Sequence, residues 1–105
     1  MRLFVASYVG TITTLDFALD VSRGYSLDVV ASTTACSPNP SWISLDPDRN
    51  VLYCTEPGVA GPNGTLVSLS IQPDGGLSFL DSVQTPIGAA YSGLYDDNQA
   101  LGVAY

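Results

Sequence analysis

A four-residue pattern returns at a fixed interval. Leu3-Phe4-Val5-Ala6 recurs as Leu52-Tyr53-Cys54-Thr55 and again as Leu101-Gly102-Val103-Ala104, 49 residues apart each time. The features between these anchors keep their order. Thr11-Ile12-Thr13-Thr14-Leu15 corresponds to Thr65-Leu66-Val67-Ser68-Leu69, Ser26 to Val30 corresponds to Leu77 to Val83, and Ser41-Trp42-Ile43 corresponds to Ser92-Gly93-Leu94. A period of ~40–50 residues built from short strands is the signature of a β-propeller with four strands per blade.

The middle unit shows all four strands. Ser41 to Leu45 alternates, and Asp46-Pro47-Asp48-Arg49-Asn50 is a turn with Pro placed to start it. Val51 to Thr55 is apolar on both faces, as expected of a strand covered on two sides. Glu56 to Gly64 is a Gly- and Pro-rich loop. Thr65 to Ile71 sets Val67, Leu69 and Ile71 on one face; Pro73-Asp74-Gly75-Gly76 is a hairpin turn, and Leu77 to Val83 is the fourth strand. No segment carries a helical period. The expected fold is all-β: a partial propeller of about two four-stranded antiparallel blades. Residues 1–35 are expected to form part of blade one, 36–85 a complete blade, and 86–105 the start of the next. A propeller closes with at least about four blades, so this length reads as an incomplete one. An independent β domain, such as a sandwich, is the structural alternative.

Composition narrows the function classes. The chain has no His, and its three basic residues are Arg2, Arg23 and Arg49, against a formal net charge of −7. Nucleic-acid binding and attachment to an anionic membrane both need clustered cations; neither partner is expected. No apolar run approaches the ~18 residues of a membrane span. The start has no signal-peptide pattern, which leaves a cytoplasmic location, or a secreted one for a full-length parent, both open. Cys36 and Cys54 form no CxxC pair and have no His beside them, so no metal site and no cofactor is expected. They are a disulfide if the parent is secreted; otherwise Cys54 is a buried strand residue and Cys36 a loop thiol. Asn63-Gly64-Thr65 is a glycosylation sequon that matters only in a secreted parent, and is otherwise a plain turn.

The stretch Cys36-Ser37-Pro38-Asn39-Pro40-Ser41-Trp42-Ile43-Ser44-Leu45-Asp46 resembles the first full blade of fungal lactonase-type seven-bladed propellers. Leu3 to Ile12, Val51 to Glu56, Asn63 to Ser68 and Ala100 to Tyr105 agree with that resemblance. The family includes propeller-type 6-phosphogluconolactonase, a hydrolase, and carboxy-cis,cis-muconate cyclase, an isomerase. The resemblance implies a small lactone or carboxylate as the substrate of a full-length parent. It places the catalytic His, Arg and Glu of the cyclase branch in later blades, so this chain alone is expected to be an inactive fragment. It also implies that the loops Ala35 to Pro40 and Glu56 to Gly64 line the mouth of the central channel.

Lactone hydrolysis needs a base for water and donors for an oxyanion; cyclisation needs cations for carboxylates. Glu56, the only Glu, is the one candidate base here, against the alternative of a hydrogen-bonded loop acid. Asn39, Trp42 and Ser92 are candidates to shape the mouth, although Trp42 also suits packing between blades. Ser7, Ser41 and Ser92 lack a His to activate them. A propeller mouth that binds a partner without catalysis is the alternative function.

Overall fold

The computed structural model describes residues 1–104 and consists of β-strands joined by turns and loops, with no helix among them. The strands are β1 (Arg2–Ser7), β2 (Thr11–Asp20), β3 (Gly24–Thr33), β4 (Trp42–Asp46), β5 (Val51–Glu56), β6 (Gly64–Ile71), β7 (Leu77–Thr85), β8 (Tyr91–Tyr95) and β9 (Ala100–Ala104). They form three antiparallel meanders: a three-stranded sheet β1-β2-β3, a four-stranded sheet β4-β5-β6-β7 and a two-stranded sheet β8-β9.

The repeat extends to register. Leu45 faces Leu52 across β4 and β5, and Leu94 faces Leu101 across β8 and β9. The outer strands carry matching irregularities. Between β2 and β3 the pairing passes from Thr14 with Ala31 to Leu15 with Val29, which leaves Val30 as the extra residue. Between β6 and β7 it passes from Ser68 with Asp81 to Leu69 with Phe79, which leaves Leu80 extra. A bulge of this kind bends the strand and increases its twist.

The core lies between the first and second sheets. Leu52, Cys54, Val67, Leu69 and Ile71 of the second sheet meet Ile12 of the first, with Phe4, Ala6 and Leu77 packed against them. Alternation explains this set: residues two apart on a strand share a face, so Val67, Leu69 and Ile71 point to the first sheet together. Cys36, in the connection after β3, is as buried as the strand residues and is joined to Cys54 in a disulfide. The bond ties the connection leaving the first sheet to the middle of the second.

Polar contacts align the same two sheets. The β6–β7 turn docks on β2, where Thr14 Oγ1 donates to the Gly75 carbonyl at 2.8 Å in a buried site. Arg2 reaches the same turn through the Pro73 carbonyl, 3.2 Å away, while it pairs with Asp16. Gly75 has a φ of 92°, and a Cβ there would meet Val30, Thr14 and Arg2 at 3.0–3.2 Å. Both the conformation and the close approach call for glycine.

The two inner hairpins turn differently. In the β4–β5 turn, Asp46 is fully buried and its Oδ1 accepts from the amides of Asp48 and Arg49 at 3.1 Å. Its Oδ2 takes the Arg49 guanidinium at 2.8 Å. Tyr95 stands at the corresponding place in the β8–β9 hairpin and has no carboxylate to accept those amides. There Asp96, Asp97 and Asn98 adopt φ of 54°, 50° and 61°, a left-handed run that Asp and Asn tolerate better than most residues.

Two predictions follow from this packing. Leu69, with 0% exposure, is expected to cost about 2–5 kcal/mol when cut to Ala, whereas Leu27→Ala, at a site 56% exposed, should cost far less; chemical denaturation of the two variants measures the contrast. Arg49 first, then the Arg49 and Asp48 amides, holds the Asp46 carboxyl below its ordinary value. Its stabilisation is therefore complete above the unfolded-state value of about 3.9 and is lost as pH falls through the lower folded value. Melting curves taken across that acid range should show the decline for the parent chain and a shallower decline for Asp46→Asn.

Candidate functional site

The connections of the three sheets gather at one end. The β1–β2 turn is held to the 34–41 connection by Asn39, whose Nδ2 donates to the Tyr8 carbonyl at 2.8 Å, and by Ser37, whose hydroxyl donates to the Gly10 carbonyl at 3.0 Å. Ser41 then joins this connection to the end of β5: its amide and hydroxyl both donate to the Thr55 carbonyl, at 2.8 and 3.1 Å. The Ser41 hydroxyl also lies 3.3 Å from the Ala89 carbonyl, and the Gly88 amide donates to the Pro57 carbonyl at 2.7 Å. Two loops after fourth strands and two loops between second and third strands are thereby stitched into one rim.

Each candidate residue has a definite place on or near this rim. Glu56 ends β5, is 4% exposed, and its Oε1 accepts the Gly58 amide at 3.0 Å. That bond closes the start of the 57–63 loop and gives Glu56 the position of a loop-fixing acid. Asn39 is half-buried with its amide committed to Tyr8. Ser92 is 1% exposed, with its hydroxyl 3.2 Å from that of Ser44, while Ser44 donates to the Ser92 carbonyl at 2.6 Å. It joins β4 to β8 and presents no hydroxyl to the rim. Trp42 is 44% exposed and is not part of the core. Its ring lies 4.9 Å from that of Tyr91 at 53°. These two residues are 49 positions apart and open consecutive inner strands, so the repeat places one aromatic beside the next and leaves both partly open to solvent. Asn63 lies exposed in the 57–63 loop.

The sequence reading missed Thr55, whose Oγ1 is buried with no hydrogen-bond partner among the described residues. It sits in an ordinary apolar strand pattern, and nothing in its spacing marks it. Also missed was the distribution of charge. Arg49 lies in the β4–β5 turn, Arg23 in the β2–β3 turn and Arg2 at the start of β1; by the register of the hairpins, all three are at the end opposite the rim. Among the described residues, the rim carries one carboxylate, Glu56, and no cation. It can offer stacking faces, backbone groups and the Glu56 carboxylate, but no cation to grip an anionic substrate.

Two hollows accompany these sheets, and neither is built as a ligand site. One of about 330 Å³ is bordered by Phe4, Val5, Ala6, Ser41, Trp42 and Ile43. It runs along the edge of β1 that is unpaired, where β5 has β4 and β9 has β8. The other, about 140 Å³, lies over Tyr53, Leu66, Ser68, Asp81, Ser82 and Val83, on the face of the second sheet turned away from the first.

Comparison with known proteins agrees with this architecture. The chain matches the family model described as Lactonase, 7-bladed beta-propeller, over residues 2–105. It belongs to that family, and its sheets are propeller blades. No curated protein matches its sequence. Among solved structures it is similar to Sqt1 of Chaetomium thermophilum, with a TM-score of 0.74 at 11% identity. That likeness, which is one of fold, covers 97% of this chain and 25% of Sqt1, so the chain spans about a quarter of that protein.

The aromatic pair yields a direct test. Tyr91→Ala is expected to cost about 0.5–1.5 kcal/mol beyond the lost area and to shift the emission of Trp42, the only Trp, to the red as its covered ring face meets water. An unchanged spectrum in a folded variant would contradict the stacking.

Proposed function

We propose that this chain supplies about two blades of a lactone-processing propeller enzyme and is inactive by itself. What carries the reading is the match to the seven-bladed lactonase family along nearly the whole chain. The substrate class that goes with it is a sugar lactone to be hydrolysed or a muconate to be cyclised. In that reading the Trp42–Tyr91 pair forms part of the channel wall and packs against the apolar side of the substrate ring. Thr55 and Glu56 brace the rim behind it. In this reading the base and the cations for a substrate carboxylate or phosphate come from blades beyond these residues, since the rim carries no cation among the described residues.

A second reading is a propeller mouth that binds a partner without turning it over. The rim of backbone groups, aromatic rings and one engaged carboxylate favours it. The two readings separate by assay. Hydrolysis of a sugar δ-lactone and cyclisation of a carboxymuconate should be followed for this 105-residue chain and for the longest natural protein that contains it. Turnover of one substrate by the longer protein alone is the expected result. A longer protein that binds these compounds and converts neither would move the assignment to the binding module.

A further inference from the structure

We propose that Asn63 carries an N-linked glycan and that the protein matures in an oxidising compartment, where the same passage forms the Cys36–Cys54 disulfide. Two separate observations meet here. The first is the acceptor itself. The chain has four Asn, at 39, 50, 63 and 98. Asn39, Asn50 and Asn98 each spend the side-chain amide on a structural bond, to the Tyr8 carbonyl, the Ile71 carbonyl and the Asp48 carboxylate. Asn39 is also followed by Pro40, which blocks its Asn-Pro-Ser triplet as an acceptor. Asn63 alone heads a competent triplet, Asn63-Gly64-Thr65, and among the described residues its amide makes no hydrogen bond. It is exposed, in a loop with Val59, Ala60, Gly61 and Pro62, which are exposed as well, so a bulky sugar there displaces no packing.

The second observation is the covalent pairing of Cys36 and Cys54, both essentially buried. Disulfides persist in secreted and extracellular proteins and are rare where glutathione and thioredoxin keep thiols reduced. The lumen of the endoplasmic reticulum, where N-glycans are attached, is oxidising, so a chain that receives the glycan there also meets the conditions for the disulfide.

The chemistry balances as follows. The Asn63 amide nitrogen forms a bond to the anomeric carbon of a lipid diphosphate-linked oligosaccharide. The carbon–oxygen bond to the lipid diphosphate breaks, that diphosphate leaves with the electron pair, and the amide gives up one proton. The two Cys thiols lose two protons and two electrons to a disulfide-donating oxidoreductase.

The distribution of cleavage sites makes a single experiment sufficient. With no Lys, and Arg only at 2, 23 and 49, trypsin leaves Cys36 on the peptide 24–49, while Cys54 and Asn63 share the peptide that begins at Asn50. The protein isolated from its own cells is digested without reductant and examined by mass spectrometry before and after enzymatic removal of N-glycans. The expected result is one species linking the two peptides, heavier by a glycan, in which residue 63 reads as Asp after deglycosylation. A linked species with unmodified Asn63 overturns the glycan, and free thiols on both peptides overturn the oxidising route. Thr65→Ala is expected to abolish the added mass and keep the linked species. Thr65→Ser should keep both, and loss of the glycan in that variant would count against the site. Neither outcome depends on turnover of a lactone, so the enzymatic reading stands or falls separately.

Discussion

The face shared by the first two sheets is the contact on which everything else depends. Ile12 from one side and Leu52, Leu69 and Val67 from the other close over it. A twisted sheet has two faces and buries apolar side chains only when another layer covers them. Each blade therefore relies on its neighbours. The effect of a missing neighbour is visible at once: Tyr25, Leu27 and Val29 on β3, and Leu80 and Val83 on β7, are all more than half exposed. The disulfide and the docking of the β6–β7 turn on Thr14 act on the same contact and set its alignment, while the apolar area provides most of the attraction.

Much of this was legible in the sequence because it is periodic. Strand alternation identified Val67, Leu69 and Ile71 as one face, and the 49-residue interval identified the all-β propeller architecture. What stayed hidden is aperiodic. Burial of Cys36 depends on where the loop after β3 comes to rest, and a loop has no period to read. Trp42 read as a residue for the mouth or for packing between blades; what the sequence did not name is its neighbour in space, Tyr91, a residue one full repeat away. Asp46 reads as an ordinary turn residue; only the structure shows its carboxylate receiving two amides and a guanidinium. The left-handed run at Asp96 to Asn98 accompanies Tyr95 where the preceding unit has Asp46, a difference that an approximate repeat conceals.

The electrostatic division between the two ends bears on chemistry more than any single candidate residue does. Arg2 and Arg49, at the end away from the rim and tied to Asp16, Asp46 and backbone carbonyls, serve the fold. Such a division leaves Glu56 as the one charged side chain of the rim among the described residues. At least one polar atom of each candidate is engaged: Glu56 accepts the Gly58 amide, Asn39 donates to the Tyr8 carbonyl, and the Ser92 hydroxyl meets that of Ser44.

The matching bulges at Val30 and Leu80 have a geometric consequence. Each lies at the same step of the pairing between a third strand and a fourth, so the two sheets acquire the same local bend. Layers that are identical wedges, stacked through equivalent faces, turn by the same angle at every addition. A repeated rotation about one axis describes an arc, and enough equal steps bring an arc back on itself.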